Sequence, residues 1–236
     1  MKERSKYHVA DIINLVVFYS VFICLLVAFI IGTKDLIAGT LPLSKFFFRL
    51  AFLIVICLPF ALKKIFKVTF SRVASTVYYL FIFLSAFLGN ILELYNTTPA
   101  WDMVIHFLMG ALIAVYSIYL LNGTIYKKDK SRHNLFFTIV FMILFSVGIG
   151  ALWEIWEFCG DIIFGLNSQR FLDASLTPLV GQQALLDTMI DICMDTLGAI
   201  TGVLFTLVMI KVNKRFLKSF VITKLKNKEE IENIEE

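Results

Sequence analysis

The chain has 236 residues, of which 59% are hydrophobic and only 17% charged, and its formal net charge is +4. A soluble domain is nearer half apolar and a quarter charged. This composition therefore excludes a soluble enzyme, a nucleic-acid-binding module and a disordered protein, and it implies one all-α integral-membrane domain.

A helix needs about 20 mostly apolar residues to cross the hydrocarbon core. Six windows meet that length, 9–31, 46–62, 74–94, 101–121, 135–158 and 184–210. They predict a polytopic six-helix bundle within residues 1–210 and a basic-then-acidic cytoplasmic tail at 211–236. The first window is too long for the core of a cleavable signal, and Ile31-Gly32-Thr33 is no small-x-small cleavage site, so it is expected to be a retained span. Gly148/Gly150 and the GxxxG pair Gly198/Gly202 predict close helix packing. Cys24, Cys57, Cys159 and Cys193 have no metal-type spacing and are expected to be small apolar fillers.

Lys and Arg set the orientation. They cluster at Lys2, Arg4 and Lys6; at Lys63, Lys64, Lys67 and Arg72; at Lys127, Lys128, Lys130 and Arg132; and at Lys211, Lys214, Arg215 and Lys218. The alternate connections hold only Lys34 and Lys45, then none, then Arg170. With six spans every rich segment falls on one side, which predicts that both termini are cytoplasmic. The stretch from Lys211 to Lys228 mixes cations with Phe216, Leu217, Phe220, Val221 and Leu225. It fits either a helix lying on anionic lipid or a purely topogenic patch. His8 and His133 fall in basic segments and read as solvated bystanders.

On this topology the acids gather on the outer side. Glu93 ends the third span, Asp102 and His106 begin the fourth, Glu154 and Glu157 close the fifth with Asp161 just beyond, and Asp187, Asp191 and Asp195 descend the sixth. Residues three or four apart share a helical face. Each of these groups therefore forms a stripe, and Asp195 is expected about 16 Å below the start of its span at 1.5 Å per residue. A charge near the midplane costs about 2.5–3.5 kcal/mol even on the insertion scale. Such side chains face a bundle interior or a wet cavity, and the acids are expected to meet in an outward-opening pocket. Trp101, Trp153 and Trp156 sit at the outer helix ends, as an aromatic belt does.

So many carboxylates need protons or a cation among them. One reading is a divalent metal (Mg²⁺, Mn²⁺ or Ca²⁺ on oxygen-rich grounds, or Zn²⁺) ligated by Asp102, His106, Asp187 and Asp191. The other is an interhelical network of protonated acids that holds the helices together. In the metal reading Glu154 or Glu157 acts as general base. Arg49 or Arg170 receives an anionic head group through bidentate hydrogen bonds. Glu93, Asp161 and Asp195 support the ligands or relay protons.

The block Trp101-Asp102-Met103-Val104-Ile105-His106-Phe107-Leu108-Met109-Gly110 resembles the Asp-x-x-x-His-Phe-x-x-Gly segment of the YjdF-type bacterial inner-membrane proteins. Glu154-Ile155-Trp156-Glu157, and Leu186 to Asp191 followed by Gly198-Ala199, are similar to that family's other acidic blocks. The matching positions are Asp102, His106, Gly110, Glu154, Glu157, Asp187, Asp191 and Gly198, within residues 75–210. The blocks also faintly resemble VanZ-like membrane proteins. The resemblance implies a multi-pass protein of the bacterial cytoplasmic membrane and brings no reaction with it.

The expected function is thus metal-dependent hydrolysis, transfer or recognition of a lipid or envelope precursor in the outer leaflet. A proton- or cation-coupled transporter, completed by a homodimer, is the alternative that the stripe from Asp187 to Asp195 suggests. A non-catalytic accessory membrane protein is the third reading.

Overall fold

A computed structural model of the chain describes residues 9–66, 68–98, 100–124, 135–173, 175–212 and 222–224. The clusters at Lys2–Lys6 and Lys127–Arg132, together with Lys67, His8, His133, Lys214, Arg215, Lys218 and nearly all of the tail, lie outside the described residues. The fold is all-helical apart from two short paired strands: α1 (Val9–Ile37), α2 (Leu43–Val55), α3 (Leu58–Phe66), β1 (Val68–Phe70), α4 (Arg72–Ile82), α5 (Leu94–Thr97), α6 (Trp101–Thr124), α7 (Leu135–Phe164), α8 (Gln182–Val212) and β2 (Ile222–Lys224). α4 continues without a break as a π-helical stretch, Phe83–Ile91.

Among the described residues five helical segments are long and apolar enough to cross a membrane: Val9–Ile37, Arg72–Ile91, Trp101–Ile118, Leu135–Phe164 and Gln182–Val212. The window expected at 46–62 is two helices bent by 52°, Leu43–Val55 and Leu58–Ile65, and makes a sixth span if counted as one. Pro59 explains the break. It has no N–H for the Val55 carbonyl, so the first helix cannot continue through it. The Tyr78 hydroxyl donates to that carbonyl instead.

The chain divides into two compact units, Met1–Leu94 with Arg215–Glu236, and Tyr95–Lys214. In the first, α1, the bent pair and α4 enclose Val21, Leu25, Ile56, Tyr79, Ile82 and Ala86. The Phe18 ring lies 5.1 Å from that of Tyr79 and 5.0 Å from that of Phe60. Asn14 joins α1 to α4 by donating to the Arg72 carbonyl and the Thr76 hydroxyl, at 3.1 and 2.8 Å, and Asp11 pairs with Arg72.

β1 and β2 pair antiparallel, Val68 opposite Lys224 and Phe70 opposite Ile222. A helix lying on lipid was one expectation for this part of the tail. The β-branched Ile222 and Thr223 form a ladder here instead.

The second unit is the helix trio α6, α7 and α8, closed on one end by the loop 165–181. Its contacts are dominated by glycines. A Cβ on Gly110 would lie 2.2 Å from the Asp195 carbonyl oxygen, one on Gly198 2.1 Å from that of Phe107, and one on Gly202 2.4 Å from that of Ala111. α6 and α8 thus touch backbone to backbone, as small residues permit in a membrane where apolar burial supplies no drive. Gly148, also expected at a close contact, would meet nothing within 4 Å.

Candidate functional site

The backbone contact of α6 with α8 decides where the polar side chains go. His106 stands one turn before Gly110, on the side of α6 that α8 covers, and its ring is 2% exposed. Its Nδ1 lies 3.2 Å from Asp195 Oδ2. Its Nε2 lies 3.8 Å from both Asp102 Oδ1 and Glu154 Oε1. Three helices therefore each bring at least one carboxylate to one imidazole. Asp102, Glu154, Asp191 and Asp195 are all buried, none above 8% exposed.

Asp102, His106 and Asp191 each place a ligand-type atom within 4.8 Å of the other two. The surroundings fit a cation. Asp191 Oδ2, Asp195 Oδ1 and both Glu154 oxygens are buried and accept no hydrogen bond among the described residues. Buried carboxylate oxygens left so cost several kcal/mol unless a proton or a cation meets them. With Nδ1 engaged by Asp195, Nε2 is the nitrogen left for a ligand, as in the carboxylate–histidine pairs that orient metal-binding imidazoles. One imidazole and two carboxylates suit Zn²⁺ or Mn²⁺ better than Ca²⁺, which takes about six to eight oxygens.

Asp195 reaches the ring because α7 carries a glycine at the crossing. A Cβ on Gly150 would fall 2.1 Å from Asp195 Oδ2. Ser146, one turn away on α7, donates to the Gly110 carbonyl at 2.7 Å and ties α7 to the same contact.

The loop after α7 closes one end of the trio. Gly165, at φ 62°, ends the helix in the left-handed region that favours glycine. Asp161 then accepts from two successive backbone N–H groups, Ser168 at 2.7 Å and Gln169 at 3.0 Å. Arg170 follows at φ 46°. Its guanidinium donates to Asp102 Oδ2 at 3.0 Å and to the Tyr95 carbonyl at 3.2 Å, and pairs with Asp187 Oδ1 at 3.3 Å. Asp102 is thus shared, Oδ1 toward the imidazole and Oδ2 toward the arginine. Gln169 spans the helices below, donating to Thr188 Oγ1 at 2.9 Å and to the Glu154 carbonyl at 3.4 Å. The far limb of the loop is set by Asp173, whose Oδ1 accepts from the Thr177 and Ser175 N–H groups at 2.9 and 2.8 Å. The Thr177 bond first, and then the Ser175 hydroxyl, hold this exposed carboxyl below the usual carboxylate range.

The residues expected at the site divide accordingly. Asp102, His106, Glu154, Asp191 and Asp195 surround one locus. Asp187, expected as a ligand, lies outside the three-residue group and faces Arg170. A step of four residues overshoots a full turn by about 40°, so the stripe winds from the loop at Asp187 to the imidazole at Asp195. Asp161, expected beyond the fifth span, lies inside α7, which runs unbroken to Phe164. Glu157 accepts from Trp153 Nε1 at 3.1 Å. Glu93 and Arg49 belong to the first unit. Glu93 follows the π-helical stretch at φ 60° and pairs with Lys45 at 2.6 Å. Arg49 folds over Gly32 and donates to the Ala28 carbonyl at 2.9 Å.

Sequence reasoning passed over Gln169 and Thr188. The only signal was their spacing, Gln169 directly before Arg170 and Thr188 directly after Asp187.

The chain belongs to the family described as "Predicted membrane protein (DUF2238)", whose model matches residues 14–212. An uncharacterised protein of Thermotoga maritima is 31% identical over 121 residues, covering 51% of this chain and 54% of the relative. The chain thus spans about half the length of the curated relative it matches. No solved structure matches the chain.

Proposed function

We propose that this DUF2238 membrane protein holds a divalent metal ion, Zn²⁺ or Mn²⁺ by donor chemistry, on Asp102, His106 and Asp191. The ion would serve hydrolysis, transfer or recognition of a lipid or envelope precursor. The observation that carries this reading is the imidazole ringed by buried carboxylates, with the three candidate ligand atoms mutually within 4.8 Å. A bound ion would supply Lewis-acid charge at the locus. In this reading Asp195 would hold the imidazole in the tautomer that leaves Nε2 free, and Glu154, 3.8 Å from that nitrogen, would be the general base. Glu157 is the other candidate base, one turn further along α7. Asp187 restrains Arg170.

The setting we infer is the bacterial cytoplasmic membrane, with both termini inside and the chamber opening outward. This orientation rests on the Lys and Arg distribution. The elemental content of protein purified from membranes tests the metal. We expect close to one ion per chain in the wild type and its loss in His106→Ala. Protein that retains no metal, and shows no thermal shift with Mg²⁺, Mn²⁺, Ca²⁺ or Zn²⁺, would overturn the reading. The acid-network alternative then gains, and it predicts that Asp102→Asn and Asp191→Asn chiefly lower the melting temperature.

A further inference from the structure

Beside His106, Arg170 is the basic side chain that pairs with the chamber's acids among the described residues, and the way it is held is informative. An arginine that served only to neutralise Asp102 and Asp187 would need no more than its ion pairs. Here the backbone is fixed independently: Asp161 grips the two preceding N–H groups, and the Arg170 N–H itself donates to the Asn167 carbonyl at 3.2 Å. The side chain remains 36% exposed while both of its acidic partners are at most 16% exposed. Both terminal nitrogens of the guanidinium thus meet the chamber's acids, while about a third of the side chain stays accessible.

Asp102 joins this cation to the candidate metal locus through its two oxygens. A metal on Oδ1 and a guanidinium on Oδ2 would present two positive groups separated by one carboxylate. An anion with several oxygens is the ligand that satisfies both, with one oxygen toward the arginine and another toward the metal.

Resting on the metal reading above, we propose that the chamber's ligand is a phosphate-type oxyanion bridging the metal ion and Arg170, and that Asp161 is a positioning residue that sets the arginine for it. The same chemistry is offered by a phospholipid head group and by free phosphate. The proposal concerns Arg170 alone; Arg49 donates to the Ala28 carbonyl within its own unit.

The test uses the full chain loaded with Mn²⁺ in nanodiscs, read by electron paramagnetic resonance. Inorganic phosphate is titrated in phosphatidylcholine discs, and phosphatidylglycerol discs are compared without it. A changed Mn²⁺ signal with inorganic phosphate supports the proposal with free phosphate as the source. A change confined to phosphatidylglycerol discs supports it with a lipid head group as the source.

In either case Arg170→Gln should weaken the anion effect at least tenfold, and Arg170→Lys, which keeps the charge but has too few fixed donors to hold Asp102 and Asp187 as well as the anion, should fall between. Asp161→Asn should weaken it several-fold while Mn²⁺ affinity and melting temperature stay near wild type, an outcome that a purely structural role for Asp161 would not give. If Mn²⁺ binds but neither anion source alters its signal, or if Arg170→Gln responds like wild type, the oxyanion proposal is overturned and the metal reading stands. If Mn²⁺ does not bind, both fall together.

Discussion

Gly150→Ala is the most pointed probe of the chamber, because it adds one methyl group and replaces no titratable residue. The new Cβ would sit 2.1 Å from Asp195 Oδ2, 2.7 Å from Cγ and 3.2 Å from Cβ, whereas ordinary contacts begin near 3.4 Å. The carboxylate must therefore retreat by about 1.3 Å, the difference between 3.4 and 2.1 Å. The same oxygen makes the 3.2 Å bond to His106 Nδ1, so a displacement of that size disrupts it. Overpacking of a tight core costs about 1–3 kcal/mol. An imidazole N–H left buried without an acceptor costs about 1–3 kcal/mol more. Metal affinity should fall about 10–100-fold, the range typical when the group orienting a metal-binding histidine is lost.

Thermal unfolding in detergent and a metal titration measure the two effects separately. A thermodynamic cycle sharpens the result. In an Asp195→Ala background the added methyl has no carboxylate to strike, so Gly150→Ala should cost little more there. Wild-type stability and metal affinity in Gly150→Ala would refute the reasoning, as would fully additive losses in the double variant.

Four further outcomes follow from the same geometry. Asp191→Asn should abolish metal retention, whereas Asp187→Asn should keep the metal and loosen Arg170, because Asp187 faces the arginine and not the imidazole; elemental analysis of both variants decides. Gly198→Ala drives a methyl into the backbone of α6 and should destabilise by about 1–3 kcal/mol or more. Gly32→Ala meets only the flexible end of Arg49 and should cost far less, so their melting temperatures should differ clearly. Acidification should weaken metal binding, because an imidazole and two carboxylates must each shed a proton to ligate, and raising the pH should restore it; a titration over several pH values checks the sign. A fluorescent protein fused after Glu236 should fold and emit light, as expected of a cytoplasmic terminus, and a dark fusion that is active with a periplasmic reporter would reverse the topology.

The chain's own residues determined its solvent and most of its helices. Apolar runs of membrane length cannot satisfy their backbone polar groups in lipid except as helices, so α1, α6, α7 and α8 were legible without any partner. The i, i+4 spacing of Asp102 with His106, and of Asp191 with Asp195, likewise placed each pair on one helical face. Periodicity stops at the single helix, however. It could not tell that α7 runs on past Asp161, that Pro59 breaks the second window, or that 222–224 would pair with 68–70.

Which faces meet was decided by tertiary contact. Glycines at 110, 198 and 202 let α6 and α8 close to backbone distance, and Gly150 made room for one carboxylate beside one imidazole. That packing separates Asp191 from Asp187, although both stood in one stripe and were expected to act alike. Glu93 and Arg49 are held by Lys45 and by the Ala28 carbonyl in the first unit, contacts across tens of residues that no local pattern encodes. Side chains choose their helical face locally, but the group opposite each one is set by how closely two backbones can approach.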